Sequence, residues 1–266
     1  MLRIETLKRQ FPHFPGDIHL AVPQESNLPE REQHFLIYIP WNENYLRLVP
    51  EEFRQFFQEI LPFLSARTTD VHTAVCLQYL DEFIQQASEQ GKKVNRKVLA
   101  YALMLHDAGW SQMAEEEIAT SLGVTGLALN ESAMGSKEKH ALLGEKIARQ
   151  ILTRKQDELA VSDEEIDLIC RAIRYHDKPE AVVGQGNAMP VEVQLLVDLD
   201  HIWSFTRFNF WQDTLRKGVD PANYLANLAQ DLDKYFVTDI GKSKAHELLL
   251  ERRKEVEKNV FQNAHR

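Results

Sequence analysis

The chain has 266 residues, 44% of them hydrophobic and 27% charged, enough to bury a sizeable core as one large domain or as a domain with an appendage. Its net charge of −9 argues against a nucleic acid polymer as partner, because phosphate-backbone binding needs a basic surface; a small phosphorylated molecule held by a metal and a few local cations is still allowed. No run approaches the roughly 18 apolar residues of a membrane span, and the opening "MLRIETLKRQFPHFPG" lacks the apolar core of a signal peptide, so a cytoplasmic location is expected.

Residues 1–50 hold six of the ten prolines and show no sustained period, which reads as an irregular N-terminal arm lying on the main body. Within it, "HFLIYI" fits either a strand or a packed extended segment, and His13, His19 and His34 read as solvated or structural. From residue 51 the apolar period is helical. Helices are expected at 51–64, 70–90, 95–107, 137–154, 163–177, 190–209, 221–236 and 240–260, with Asp163 as a cap. The joints are turn-like: "SEQGKKVN", "SLGVTGLALNESAMGS" and "KPEAVVGQGNAMP". Cys76 and Cys170 fall inside apolar helical patterns and read as core packing rather than a disulfide. The last helix carries the leucine cluster of "KAHELLLERRKEVEK", to be packed on the bundle or on a second copy in a homodimer.

The stretch "YALMLHDAGW" ends an apolar helix on an adjacent imidazole and carboxylate, His106 and Asp107, with Gly109 expected to permit a sharp exit. Helix neighbours recur three, four and seven positions apart. His72 thereby shares a face with Cys76, Tyr79, Leu80 and Phe83, His106 with Leu99, Ala102 and Leu103, and His140 with Leu143, Gly144, Ile147 and Ile151. His176 continues the stripe of Ile166, Ile169, Cys170 and Ile173, and Asp200 that of Val193, Leu196 and Val197. One such histidine is ordinarily core. Five coincidences on five helices are not, because unpaired buried carboxylates at Asp107 and Asp200 would each cost several kcal/mol. A divalent cation removes that cost by taking imidazoles and carboxylates as ligands between facing helices. Asp198 and Asp200 lie about 200° apart around a helix, so only one of them faces such a site.

In these residues the chain resembles the HD-domain superfamily of metal-dependent phosphohydrolases: a histidine (His72 in "ARTTDVHTAV"), a His-Asp pair (His106-Asp107 in "ALMLHDAGW") and a distant aspartate in "LLVDLDHIW". The family pattern selects Asp200, just before "HIW", as the last ligand. Two further histidines of many members match His140 and His176. The resemblance spans roughly residues 65–210 and implies an all-α, HD-domain-like helical bundle. On that reading 1–64 is an arm and lead-in helix, 65–210 the metal-dependent core, and 211–266 C-terminal helices packed on it. "HDAGW" lacks the lysine of the "HDxGK" form, no "HHE…GYP" segment occurs, and position 110 is not acidic, so no subfamily or substrate is assigned.

The resemblance implies hydrolysis of a nucleotide or other small phosphate ester by metal-activated water. His72, His106, Asp107 and Asp200 would hold one ion of Fe, Mn, Zn, Co, Ni or Mg. His140 and His176 would serve a second ion bridged by Asp107, or contact phosphate and shuttle protons; one ion is favoured. Arg67, Lys178 and Arg207 are the candidate phosphate-binding cations. The same ligand series also serves mixed-valent di-iron oxygenases, and a non-catalytic regulatory module is the rival from another class.

Overall fold

Helices begin where an oxygen-bearing side chain can take their first free amides. Asn95 accepts from the Val98 amide at 3.2 Å, and Asp220 accepts from Ala222 and Asn223 at 2.9 and 3.2 Å ahead of Pro221. Ser162, rather than the expected Asp163, is the cap of its helix: it accepts from the Glu165 amide, and the Glu165 carboxylate accepts from the Ser162 amide, a reciprocal capping box. Asp163 is the first helical residue, where its charge suits the helix N-terminus.

The computed structural model describes residues 14–21, 37–39, 43–121 and 131–264. These form an all-α fold of 14 α-helices, with no strand or sheet among the described residues. In chain order the helices are α1 (Arg54–Ile60), α2 (Thr69–Leu77), α3 (Leu80–Glu89), α4 (Arg96–Leu105), α5 (Glu115–Ser121), α6 (Glu131–Arg154) and α7 (Gln156–Leu159). There follow α8 (Asp163–Tyr175), α9 (Pro179–Gln185), α10 (Val191–His201), α11 (Arg207–Lys217), α12 (Pro221–Gln230), α13 (Leu232–Tyr235) and α14 (Asp239–Ala264). Short 3-10 helices, among them Ala66–Thr68, Ala108–Gln112 and Ile202–Phe205, join them.

α4 is the central rod, buried from Val98 through Leu105, and packs on α8, α10 and α2; α6 runs along α8 and along Ala108–Gln112. One apolar core runs from Ile18 to Val256, built around Phe57, Phe83, Phe205, Phe210, Trp211 and Phe236. No helix among the described residues is long and apolar enough to cross a membrane.

The expected 51–64 helix is α-helical only over α1, between 3-10 turns at Glu51–Phe53 and Leu61–Phe63; the 221–236 helix divides into α12 and α13; and two others are broken. The 70–90 helix divides at Gln78 and Tyr79: the Gln78 amide and side chain both donate to the Val75 carbonyl, at 3.3 and 3.1 Å, and the Tyr79 amide donates to Cys76 at 3.0 Å. The 190–209 helix stops at His201, and Thr206 starts α11 by accepting from the Asn209 amide. α9 falls where a joint was expected, α6 begins at Glu131 inside another, and α5 and α7 lie between the expected helices. Of the candidate strand, residues 37–39 are described: Tyr38 makes one isolated antiparallel bridge to Ala21, while Ile37 and Ile39 are buried against α11. There the Ile39 amide donates to the Gln212 side chain at 3.1 Å, and Arg216 donates to the Ile37 carbonyl at 2.6 Å. His19 is exposed; His13 and His34 lie outside the described residues.

Gly109 corrects a second expectation. Its φ is not positive, so the turn does not require glycine. The requirement comes from packing: a Cβ there would sit 1.9 Å from the His140 carbonyl oxygen and 2.7 Å from the Gly144 nitrogen. Ala108–Gln112 therefore lies backbone against backbone on α6.

Candidate metal centre

Two of the site histidines owe their orientation to helix ends. His106 and His176 follow directly on α4 and α8, where the last carbonyls have no amide partner within the helix. His106 Nδ1 donates to the Leu103 carbonyl at 2.7 Å and His176 Nδ1 to that of Ile173 at 2.6 Å. A carbonyl only accepts, so each Nδ1 carries the proton and each Nε2 points inward.

Six side chains converge there from five helical segments. His72 Nδ1 is 3.2 Å from Asp107 Oδ2, and His72 Nε2 is 3.1 Å from Asp200 Oδ1. His106 Nε2 is 3.3 Å from Asp200 Oδ1 and 3.6 Å from Asp107 Oδ2. On the other side, Asp107 Oδ1 is 3.4 Å from His140 Nε2 and 3.7 Å from His176 Nε2, and these two nitrogens are 3.1 Å apart. His106 is completely buried, and the other three histidines and Asp107 nearly so. Trp110 donates its indole N–H to Asp107 Oδ1 at 2.8 Å and stacks on His140; Trp203 stacks on His72.

The donor chemistry fits a cation. His72 Nε2 and His106 Nε2 are buried and make no hydrogen bond, although carboxylate oxygens lie beside them. A buried imidazole nitrogen without a hydrogen bond, set beside the oxygens of two carboxylates, marks a place for positive charge. Suitable ligand atoms of His72, His106 and Asp200 lie within 4.8 Å of one another, as do those of His106, Asp107 and His176 and those of His140, His176 and Asp177.

Electrostatics run the same way. Burial alone would raise the Asp107 carboxyl, but His106, His140, His176 and His72 outweigh it and hold it well below the usual range; His106 and His72 do the same for Asp200. Burial lowers His140, whereas in His176 the pull of Asp107, Asp200 and Asp177 overcomes burial and pushes the imidazole up to about 9.

Asp200 thus joins the cluster, and Asp198 does not. Asp198 faces away, accepting from the Val237 and Thr238 amides at 2.7 and 3.1 Å and from the Thr238 hydroxyl.

A cavity of about 420 Å³ opens onto the cluster, within the range of small-molecule sites. His140 and His176 line it together with His72, Asp107 and Asp200. Of the three expected cations only Arg67 does so. Lys178 is engaged by Glu138 at 2.9 Å, and Arg207 by Asp17 and Glu255 at 2.6 and 3.2 Å, so neither faces the cavity. Their place is taken by Lys137, Arg216 and Lys217, which sequence reasoning missed together with Asp177, Asp213 and Tyr224. Asp177, directly after His176, was the one with a local signal. Arg216 and Lys217 come to the cavity on α11, which packs on Ile202–Phe205 and on α12.

No family model, curated protein or solved structure matches this chain.

Proposed function

We propose that the chain is a metal-dependent hydrolase of a small phosphorylated molecule, of the HD-domain kind it resembles. The observation that carries this reading is the buried set of imidazole nitrogens and carboxylate oxygens held within reach of one another, in which His72 Nε2 and His106 Nε2 have no hydrogen-bond partner. His72, His106, Asp107 and Asp200 would hold the ion. The division of Asp107 supports a second position over the single ion expected, since Oδ2 faces His72 and His106 while Oδ1 faces His140 and His176. Such ions supply a water of lowered pKa and a Lewis acid toward phosphoryl oxygen.

The chain's own residues do the rest. Trp110 fixes the Asp107 carboxylate through its indole N–H. Leu103 and Ile173 carbonyls fix the tautomers of His106 and His176. Where no second ion is bound, the His140 and His176 Nε2 atoms, 3.1 Å apart, would instead share one proton and pass it to a leaving oxygen entering the cavity. Lys137 and Arg216 line the cavity in ion pairs with Asp177 and Asp213.

The test is metal content by elemental analysis, helical circular dichroism and phosphate release from a panel of phosphate esters. Asp107→Ala should lose metal and hydrolysis together with its helical spectrum intact. Full metal retention in that variant would defeat the reading.

A further inference from the structure

Four cations line the cavity, and three of them already have a carboxylate partner, Lys217 and Arg216 sharing one. Lys137 pairs with Asp177 at 2.8 Å, Lys217 with Asp213 at 2.9 Å, and Arg216 with the same Asp213 at 3.5 Å. Arg67 pairs with no carboxylate among the described residues. Its guanidinium lies instead over the Trp110 ring, 4.4 Å from the centroid, and the opposite neighbour of that ring is His140, stacked at 4.1 Å. A cation–π contact of this kind holds the guanidinium in place and leaves its N–H edge free.

The backbone beneath Arg67 is strained. Arg67 (φ 57°, ψ 17°) and Thr68 (φ 59°, ψ 34°) are two successive non-glycine residues in the left-handed region, a conformation costing roughly 1–2 kcal/mol per residue. The bend is held from outside: the Thr69 hydroxyl donates to the Leu64 carbonyl at 2.7 Å, and the Asp70 amide donates to the same oxygen at 3.0 Å. Straightening it would carry Arg67 off the Trp110 ring and out of the cavity. Strain that persists beside a candidate site is commonly strain that serves it.

The geometry points to Arg67 as an oxyanion-binding residue that receives a phosphate group on the Trp110 face of the cavity. A planar guanidinium with two parallel N–H groups matches two oxygens of a phosphate, and half-burial strengthens the pairing relative to bulk water. Arg67's charge bears on both Lys137 and Arg216, so the three cations address one space, and the one without a counter-charge is the one a ligand's charge completes. This inference rests on the hydrolase reading for the identity of the oxyanion as phosphate, but not for the presence of a binding site.

The probe is inorganic phosphate, titrated calorimetrically into the full chain, with metal content and thermal stability measured on every sample. Arg67→Ala should bind phosphate at least tenfold more weakly with metal content unchanged, and Arg67→Lys should regain only part of the loss. Arg67→Gly removes the same guanidinium while relieving the left-handed backbone, so it should fold at least as well and bind as weakly as Arg67→Ala. Phosphate affinity equal to that of the unaltered chain in Arg67→Gly would overturn the assignment, as would absence of phosphate binding by the unaltered chain. A chelated sample separates the two readings. Affinity that survives chelation and falls in Arg67→Gly supports the Arg67 site and counts against the metal; affinity lost on chelation but intact in Arg67→Gly does the reverse.

Discussion

Asp198 and Asp200 are two residues apart and have opposite work. Asp200→Ala should empty the centre of metal, whereas Asp198→Ala should leave metal bound and cost about 2–4 kcal/mol, because two amides and a hydroxyl lose their buried acceptor. Burial pushes the Asp198 carboxyl up to about 7, against the pull of its three donors. A carboxyl raised in the folded state, from near 4 in the unfolded chain, contributes most at low pH, and its contribution is lost as pH rises from about 4 through about 7. The unaltered chain should therefore lose about 2 kcal/mol of unfolding free energy between roughly pH 5 and pH 7 relative to Asp198→Asn. Urea unfolding at the two pH values measures this, and parallel behaviour of both proteins would refute it.

At the scale of elements, the contact between Ala108–Gln112 and α6 sets how Asp107 meets His140. Gly109→Ala places a methyl 1.9 Å from the His140 carbonyl oxygen, so the two backbones must part. Overpacking of this sort costs about 1–3 kcal/mol, which 14 helices around one core should survive. A metal centre tolerates only about half an ångström of misplacement, so metal affinity should fall at least tenfold while most of the helical circular dichroism remains. Unchanged metal affinity would mean that the interface gives without moving His140.

The elements legible in the sequence were those with a long apolar stripe. α4 and α8 lie within two residues of their expected bounds, because nothing else explains an apolar period of three and four. α5 was hidden: "EEEIATS" offers one large apolar side chain and reads as a surface run. The break before α3 is a local switch of the Gln78 and Tyr79 amides to three-residue bonds, which no periodicity records. For the site, helix faces brought the four histidines, Asp107 and Asp200 into one group before any coordinates. The cations were not readable, since Arg207 and Arg216 sit on one helix and differ only in what that helix is packed against.

Over the whole molecule, the cavity is assembled from residues between Arg67 and Tyr235: α11 through α13 supply one wall, and α2, α6, α10 and the residues that follow α4 and α8 supply others. The arm helps hold that wall: the side chain of Gln212 anchors Ile39 from one helix turn before Arg216, which anchors Ile37 and also lines the chamber. Gln212→Ala should leave the buried Ile39 amide without its partner, lower stability by about 1–3 kcal/mol, and speed proteolysis around residues 37–39 under native conditions. An unchanged cleavage rate would show that the arm is held by its apolar residues alone.

The aromatic stacks carry an optical consequence. Trp110 lies on His140 and Trp203 on His72, one on each flank of the cluster, while Trp211 is packed with Phe14 and Phe210. A paramagnetic ion such as cobalt(II) entering the centre should quench the indole emission of the first two and spare the third, which makes the protein its own fluorescent reporter of loading. Trp203→Phe should remove part of the quench and Trp211→Phe none of it. Quenching that disappears with Trp211 instead would mean that the ion binds somewhere else.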